Sequence, residues 1–482
     1  MNIVSLIKNK VVFYLASRYI TYAVQFVTSL VIAVELGPYY MGVWGFILLL
    51  LQYFQQFHLG VSNSFNVLYI QHRDNQQECN NYIGNSLVLV SYLALLVILC
   101  LLYYYNIGVS GFEKYHIDKY AIWICIIAIL QYYVHFFINL FRVKNQLNCV
   151  TFCQSIIVIL NFACIFFFSG EELVRWLVAG YVVGNMMCVI LAIVSGSVPS
   201  IQKVKFSISY QKEILKKGLY LFLYNSCFYF IIISIRTLIS SNYEVEEFGI
   251  FTFSFSLAHA ILLVLDALSF VIFPKVISKL SSKDTKEVRE TIAFLRMMYI
   301  TSAHFLIYLA LPLFPLLVQL IPKYSEALTS LNLIALTILI SINSFSYIEL
   351  LISRNKEKTM AKLSASALFL NCILAAILVF AYHVKFSYVI LATTITYCVY
   401  TLSVFFIGEK SVGDNLSRIN YKEYMPLRLS VPFSVALFLS VLQLEEFLFI
   451  PFLLFICLNW SVKNKIVFIT RELIEKPNIV NL

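Results

Sequence analysis

The sequence has few charged residues. Only 12% of its 482 residues are Asp, Glu, Lys or Arg, whereas 61% are apolar. A soluble domain carries roughly 25% charged residues, so this chain has too little polar surface to cover a water-soluble protein of its size. Long apolar runs take the place of the missing charge. The composition therefore predicts a protein whose main solvent is lipid.

Motifs for metal, nucleotide and catalytic chemistry are absent as well. The 11 cysteines are scattered through apolar runs, with no CxxC pair and no Cys/His cluster at zinc spacing. The sequence contains no GxxxxGK(S/T) phosphate loop, and no specific group of nucleophile, base and acid can be assembled from it. We therefore expect no catalytic residue, no metal site and no cofactor, and we expect that the protein is not an enzyme.

Fourteen apolar runs are candidates for membrane helices, which need about 20 residues each. The runs fall near residues 11–35, 41–68, 84–105, 119–141, 149–168, 173–196, 217–240, 248–274, 292–316, 327–352, 361–382, 386–407, 429–444 and 446–461. The last two are short and could form one re-entrant pair, which would leave twelve or thirteen spans. The prediction is an all-α polytopic membrane protein with about 14 transmembrane helices.

Lysine and arginine are distributed unevenly between the loops. Of 35 such residues, 27 fall in the N-terminus, the loops after even-numbered spans and the C-terminal tail, against five on the other side. Cytoplasmic loops carry the excess of Lys and Arg in membrane proteins. This distribution predicts that both termini are cytosolic, and the net charge of +10 then needs no nucleic-acid partner to explain it.

An internal repeat emerges when the chain is shifted by 207 residues. Gly42 then falls on Gly249, and Phe46 falls on Phe253. The shift covers six helices, an even number, so both copies keep the same orientation, as in the parallel repeats of transporters. We predict three parts: a six-helix lobe over 1–200, a second over 201–410, and a linker, helices 13–14 and a cytosolic tail over 411–482.

Several polar side chains lie within the spans, where charge is costly and usually faces protein or water. Arg18, Tyr22, Gln25 and Ser29 form one stripe of the first helix, and the shift places Tyr22 on Tyr229 and Ser29 on Arg236 in the seventh. A cationic, tyrosine-lined cavity is one interpretation, and snorkelling of the arginines to the interface is the other. The predicted substrate-binding residues are Arg18, Tyr22, Gln25, Tyr229, Arg236, Gln52 and Gln56.

One acidic residue lies deep within a span. Asp266 falls about 12 Å from the cytosolic end of the eighth helix, and His259 precedes it by two turns on the same face. The pair could titrate during transport or bind a coupling cation, and a structural hydrogen bond to a neighbouring helix is the alternative. We take Asp266 and His259 as candidates for ion coupling.

The segment Leu36-Gly37-Pro38-Tyr39-Tyr40-Met41-Gly42-Val43-Trp44-Gly45, followed by Leu59-Gly60-Val61-Ser62-Asn63-Ser64, resembles the opening of Wzx-type O-antigen flippases. These are polysaccharide-biosynthesis members of the multidrug/oligosaccharidyl-lipid/polysaccharide (MOP) exporter superfamily, to which MATE-like transporters also belong. His58 departs from the pattern, because relatives often carry an acid before the Leu-Gly pair. No role is therefore transferred to this position.

The resemblance implies a flippase that moves an undecaprenyl-pyrophosphate-linked oligosaccharide to the periplasmic leaflet of a bacterial inner membrane by alternating access. It also implies that the partners are this glycolipid, the bilayer and the polymerase and chain-length proteins of the same pathway. A MATE-like cation-coupled antiporter of small molecules is the nearest alternative. A polysaccharide polymerase is a further one, although no outer loop here is long enough to carry its chemistry.

Overall fold

The computed structural model describes residues 10–107, 113–282, 284–413 and 424–460. For residues 10–15, 264, 266–275 and 278 it describes the backbone only. All regular structure in these ranges is helical. Within the described residues, eleven helices are long and apolar enough to cross a membrane. The chain divides into two compact units, Met1–Phe253 and Ser254–Leu482, here called the N-terminal and C-terminal units. The predicted lobes end at other residues, 200 and 410, and stay a prediction.

The N-terminal unit contains seven helices and the first residues of an eighth. They are α1 (Lys10–Gln56), α2 (Val61–Gln71), α3 (Gln76–Ile107), α4 (Ile117–Val143), α5 (Leu147–Cys164), α6 (Gly170–Val194), α7 (Ile208–Asn242) and α8 (Val245–Leu280). Pairs of consecutive helices in this unit pack side by side, as α3 does with α4 and α5 with α6. Because each helix is apolar along most of its length, packing of this kind leaves outward side chains for lipid.

Two backbone breaks divide the first helical stretch. At Gly37 the chain takes φ 65° and ψ 172°, which separates residues 10–36 from 38–56. The second break spans residues 57–60, where Leu59 (φ 49°) and Gly60 (φ 69°) are both left-handed. Pro38 follows the first break directly and begins the next helix, a position where a missing N–H has no cost. The predicted span 41–68 is thus interrupted, not continuous.

The segment that joins α6 to α7 is fixed along α3. Asn81 and Asn85, one turn apart on α3, each accept a backbone N–H from it: Asn81 Oδ1 lies 2.8 Å from the nitrogen of Lys205, and Asn85 Oδ1 lies 3.0 Å from that of Ser207. Asn85 Nδ2 donates back to the Lys205 carbonyl at 2.9 Å. The amide side chains thereby satisfy backbone groups of an extended segment. This segment is therefore held in one path across the end of α3.

The C-terminal unit begins within α8 and continues through shorter helices. They are α9 (Thr285–Leu295), α10 (Thr301–Ala310), α11 (Phe314–Gln319), α12 (Ala327–Ile342), α13 (Phe345–Ser353), α14 (Glu357–Ala376), α15 (Leu391–Val412), α16 (Leu427–Val441) and α17 (residues 449–460). A π-helical turn, Arg296–Ile300, joins α9 to α10. A second, Ile377–Ala381, ends α14.

The helices confirm the predicted membrane fold. Each predicted span overlaps a helical segment, and the eleven membrane-length helices include one, Ala16–Gln56, that holds the first span and most of the second. Helix α16 has 15 residues and is about 22 Å long, shorter than the roughly 30 Å hydrocarbon core. The predicted cytosolic tail and much of the predicted linker lie outside the described residues.

Candidate functional site

Arg18 and Tyr22 form a pair on the first helix. One terminal nitrogen of Arg18, Nη2, donates to the Tyr22 hydroxyl at 2.6 Å, and Cζ lies 4.4 Å from the ring centroid. Both side chains are half-buried, whereas Gln25 on the same stripe is exposed. Thr21 Oγ1 lies 2.8 Å from Ser155 Oγ on α5 and fixes the other face of the helix. Arg18 is thus held by its own helix, and the role of the stripe in substrate binding stays a prediction.

Arg236 is buried in the N-terminal unit, with 2% of its surface exposed. Its Nη1 donates to Gln52 Oε1 at 2.6 Å, and Nη2 donates to the Gly45 carbonyl at 3.2 Å. Its Cζ lies 5.8 Å from the centroid of the Phe248 ring. Snorkelling is therefore wrong for this residue, and the guanidinium joins α7 to residues 38–56. Tyr229 and Gln56 lie near this contact along the same helices and are half-buried.

A matched pair of substitutions tests whether the hydrogen bond from Arg236 to Gln52 stabilises the protein. Gln52→Leu leaves a guanidinium N–H without its acceptor, so we expect a loss of about 2 kcal/mol in the free energy of unfolding. Gln52→Glu keeps an oxygen at that place and adds an opposite charge, so it should be at least as stable as the wild type. Thermal unfolding of the detergent-purified protein measures both. Equal losses in the two variants would contradict the assignment.

Further bonds extend the contact between α7 and its neighbours. Tyr53 Oη lies 2.6 Å from Thr237 Oγ1, and the Tyr115 hydroxyl donates to the Ser240 carbonyl at 2.8 Å. Lys114 Nζ donates to the carbonyl of Tyr243 at 2.7 Å. Burial lowers the pKa of Lys114, and nearby glutamates oppose that shift. Sequence reasoning missed these residues, since each bond joins positions more than a hundred residues apart.

The glycines that the repeat relates to each other meet in the structure. A Cβ on Gly249 would lie 1.9 Å from the Pro38 carbonyl oxygen, and one on Gly42 would lie 2.1 Å from that of Val245. Under the 207-residue shift Pro38 corresponds to Val245, so the two contacts are equivalent. The paired glycines therefore allow two helix starts to touch backbone to backbone, which a side chain at either position would prevent.

Two histidines lie beside the break at residues 57–60. The rings of His58 and His135 meet edge to face, with centroids 5.2 Å apart. One turn beyond His135, Asn139 Oδ1 accepts from Asn66 Nδ2 at 2.7 Å, and Asn139 Nδ2 donates to the His135 carbonyl. The bond between Asn66 and Asn139 therefore joins α2 to α4 close to the break.

The predicted ion-coupling pair is described in part. His259 Nδ1 donates to the Phe255 carbonyl one turn earlier at 2.9 Å, and its ring lies 4.0 Å from that of Phe255. The side chain of Asp266 lies outside the described residues, so the coupling pair stays a prediction. No group of three or more His, Cys, Asp and Glu side chains suited to a metal occurs in the described ranges.

The fold is that of MOP-type membrane transporters. The structure of the lipid II flippase MurJ, in an inward closed conformation, is similar with a TM-score of 0.70 and 15% identity, covering 96% of this chain and 100% of that one. An inward-facing multidrug-resistance MATE transporter of the MOP superfamily is similar with a TM-score of 0.63 and 12% identity, covering 83% and 98%. At these identities the likeness concerns the fold.

The sequence itself identifies the family. Residues 7–281, more than half of the chain, match the model of the family described as polysaccharide biosynthesis protein. The protein therefore belongs to that family, and the resemblance noted at residues 36–45 is confirmed. No curated protein matches the sequence. The chain is thus a multi-pass membrane protein of the polysaccharide biosynthesis family, with a fold similar to that of the solved flippase and MATE transporter.

Proposed function

We propose that the protein moves a polyprenyl-diphosphate-linked oligosaccharide across a bacterial inner membrane, from the cytosolic to the periplasmic leaflet. The observation that carries the proposal is the half-buried Arg18, fixed by Tyr22, in a membrane chain of the polysaccharide biosynthesis family. A guanidinium within a membrane protein is costly unless it is used or satisfied. Diphosphate oxygens are suited to it, because guanidinium binds phosphate through two parallel hydrogen bonds.

The polar residues take different parts in this proposal. Arg18, Tyr22 and Gln25 reach the surface of the N-terminal unit and would contact the diphosphate and the first sugar. Tyr229 and Gln56 would complete the polar lining. Arg236 and Gln52, being bound to each other, would hold α7 in place, since their contact lies inside the unit. Substrate binding therefore falls mainly to the first helix.

A flippase is favoured over the small-molecule antiporter by the extent of the structural match. The MATE structure covers 83% of this chain, whereas the flippase structure covers 96% of it. The flippase structure therefore accounts for more of this chain than the MATE structure does. The cytosolic position of both termini, predicted from the Lys and Arg distribution, belongs to the same proposal.

The test is transport by the purified full chain in proteoliposomes. Vesicles containing a fluorescent short-chain polyprenyl-diphosphate oligosaccharide are made with and without the protein, and a membrane-impermeant quencher reports the leaflet of the label. We expect the protein to make the inner-leaflet label accessible, whereas empty vesicles keep it protected. If the label stays protected while a cationic dye is exchanged for protons, the antiporter function is correct and the flippase function is wrong.

A further inference from the structure

A cavity of about 310 Å³ lies within the C-terminal unit, away from the residues discussed so far. Its charged lining residues are Arg289, Arg296, Arg428 and Glu409, and Tyr347 provides a hydroxyl; the other lining residues are apolar. Three cations against one anion leave the lining with a formal charge of +2. A cavity lined in this way attracts an anion, because charges of one sign on apolar walls reinforce each other.

One wall of the cavity is the helix that carries Arg289 and Arg296, and its backbone directs Arg296 into the cavity. Arg289 and Arg296 lie seven residues apart, on one face of the helix that runs from α9 into the π-helical turn. Such turns widen a helix locally and occur frequently at functional sites. Arg296 Nη1 donates to the Asn343 carbonyl at 3.1 Å, and Nη2 donates to that of Tyr424. Carbonyls are uncharged, so these bonds orient the guanidinium without cancelling its charge.

Glu409, the one acidic residue of the cavity lining, contacts two partners. The Tyr347 hydroxyl donates to Glu409 Oε1 at 2.7 Å, and Arg289 Nη1 lies 3.4 Å from Glu409 Oε2. Arg296 Cζ lies 5.5 Å from the centroid of the Tyr347 ring. Gly408 makes this packing possible, because a Cβ there would lie 2.4 Å from the ring. Since the Arg289–Glu409 contact is long, and Arg289 is 51% exposed, this guanidinium can turn towards a ligand.

We propose that this cavity binds the phosphate group of an anionic lipid. Arg289, Glu409 and Arg428 lie at the ends of spans, beside loops on the Lys- and Arg-rich side of the chain, where head groups lie. Guanidinium groups suit phosphate because they offer paired donors. A diphosphate diester carries two negative charges and matches the charge of the lining. An anionic phospholipid presents the same phosphate chemistry with one negative charge. The site does not depend on what the protein transports.

The test uses the full chain with Arg18→Ala, so that the proposed substrate site does not contribute. Titration calorimetry with inorganic pyrophosphate should give a Kd about a hundredfold weaker when Arg289→Gln and Arg428→Gln are combined, since two charge-assisted bonds are lost. The matched control combines Lys286→Gln and Lys362→Gln, which remove two exposed charges outside the cavity. It should bind like the parent.

The Glu409→Gln variant distinguishes a specific effect on phosphate binding from a general loss of folding. This change removes the negative charge and keeps an oxygen for Tyr347, so pyrophosphate should bind more tightly. Weaker or unchanged binding there would overturn the proposal, as would equal losses in the arginine and lysine variants. Failure of these measurements would leave the transport assay unaffected, so the two proposals fail independently.

Nanodiscs distinguish the two sources of phosphate. The protein is placed in phosphatidylcholine with or without phosphatidylglycerol, and native mass spectrometry counts the phosphatidylglycerol that it retains. Retained lipid that pyrophosphate displaces, and that is lost in the double arginine variant, assigns the cavity to a phospholipid head group. Pyrophosphate binding without retained lipid assigns it to a diphosphate. If neither binds, the cavity is not a phosphate site.

Discussion

Gly249→Ala should lower the apparent melting temperature of the detergent-purified protein by roughly 5 °C or more, because an added methyl group must displace backbone. The new Cβ would lie 1.9 Å from the Pro38 oxygen and 2.8 Å from the Gly42 nitrogen. Neither atom belongs to a flexible side chain that can rotate away. The start of α8 must therefore separate from the helix at residues 38–56.

The control is Gly413→Ala, the same chemical change at a position where only the end of a flexible side chain lies close. There the nearest atom is Arg289 Nη2 at 3.3 Å, the end of a long side chain, and the backbone has an ordinary extended conformation. We expect its melting temperature to match that of the wild type. Similar values for both variants would mean that the close approach at Gly249 does not contribute to stability.

Arg18→Ala should reduce flipping of the labelled polyprenyl-diphosphate oligosaccharide by at least about tenfold, since a charge-assisted bond to phosphate contributes about 1.5–3 kcal/mol. In cells, long-chain surface polysaccharide should disappear while lipid-linked single units accumulate. The side chain is half-buried and bonds only its own helix among the contacts described, so the variant should still fold and insert.

Two further variants show whether the arginine acts through its charge. Arg18→Lys keeps a cation but loses the planar pair of donors, so its rate should lie between those of the wild type and Arg18→Ala. Arg73→Ala removes an exposed arginine from the same unit and should transport normally. Normal polysaccharide in cells that produce only the Arg18→Ala protein would exclude Arg18 from substrate binding.

The sequence predicts the helices well because hydrocarbon thickness and hydropathy determine them. It also identifies Gly42 and Gly249 as related positions, although only the structure reveals that they touch. The sequence does not predict the break at residues 57–60: Gly60 is a typical break residue, but the left-handed Leu59 has no local sequence signal. Tertiary packing decides that conformation.

The sequence predicts which residue types belong to the candidate site, but only some of the contacts between them. Arg18 and Tyr22 are one helical turn apart, so their contact follows from spacing alone. The hydrogen bond between Arg236 and Gln52 does not follow from spacing, because Gln52 is 184 positions away and reaches Arg236 only through the packing of two helices. The roles of Asn81 and Asn85 do not follow from spacing either, because their partners Lys205 and Ser207 lie more than a hundred positions away.

The paired glycines have the symmetry of a homodimer interface. In a two-fold, isologous contact, a residue on one subunit meets a second residue on the other, and the exchanged pair meets as well. Gly42 with Val245 and Gly249 with Pro38 satisfy this relation under the 207-residue shift. The present protein therefore makes, within one polypeptide, the reciprocal pair of contacts that an isologous interface makes between two.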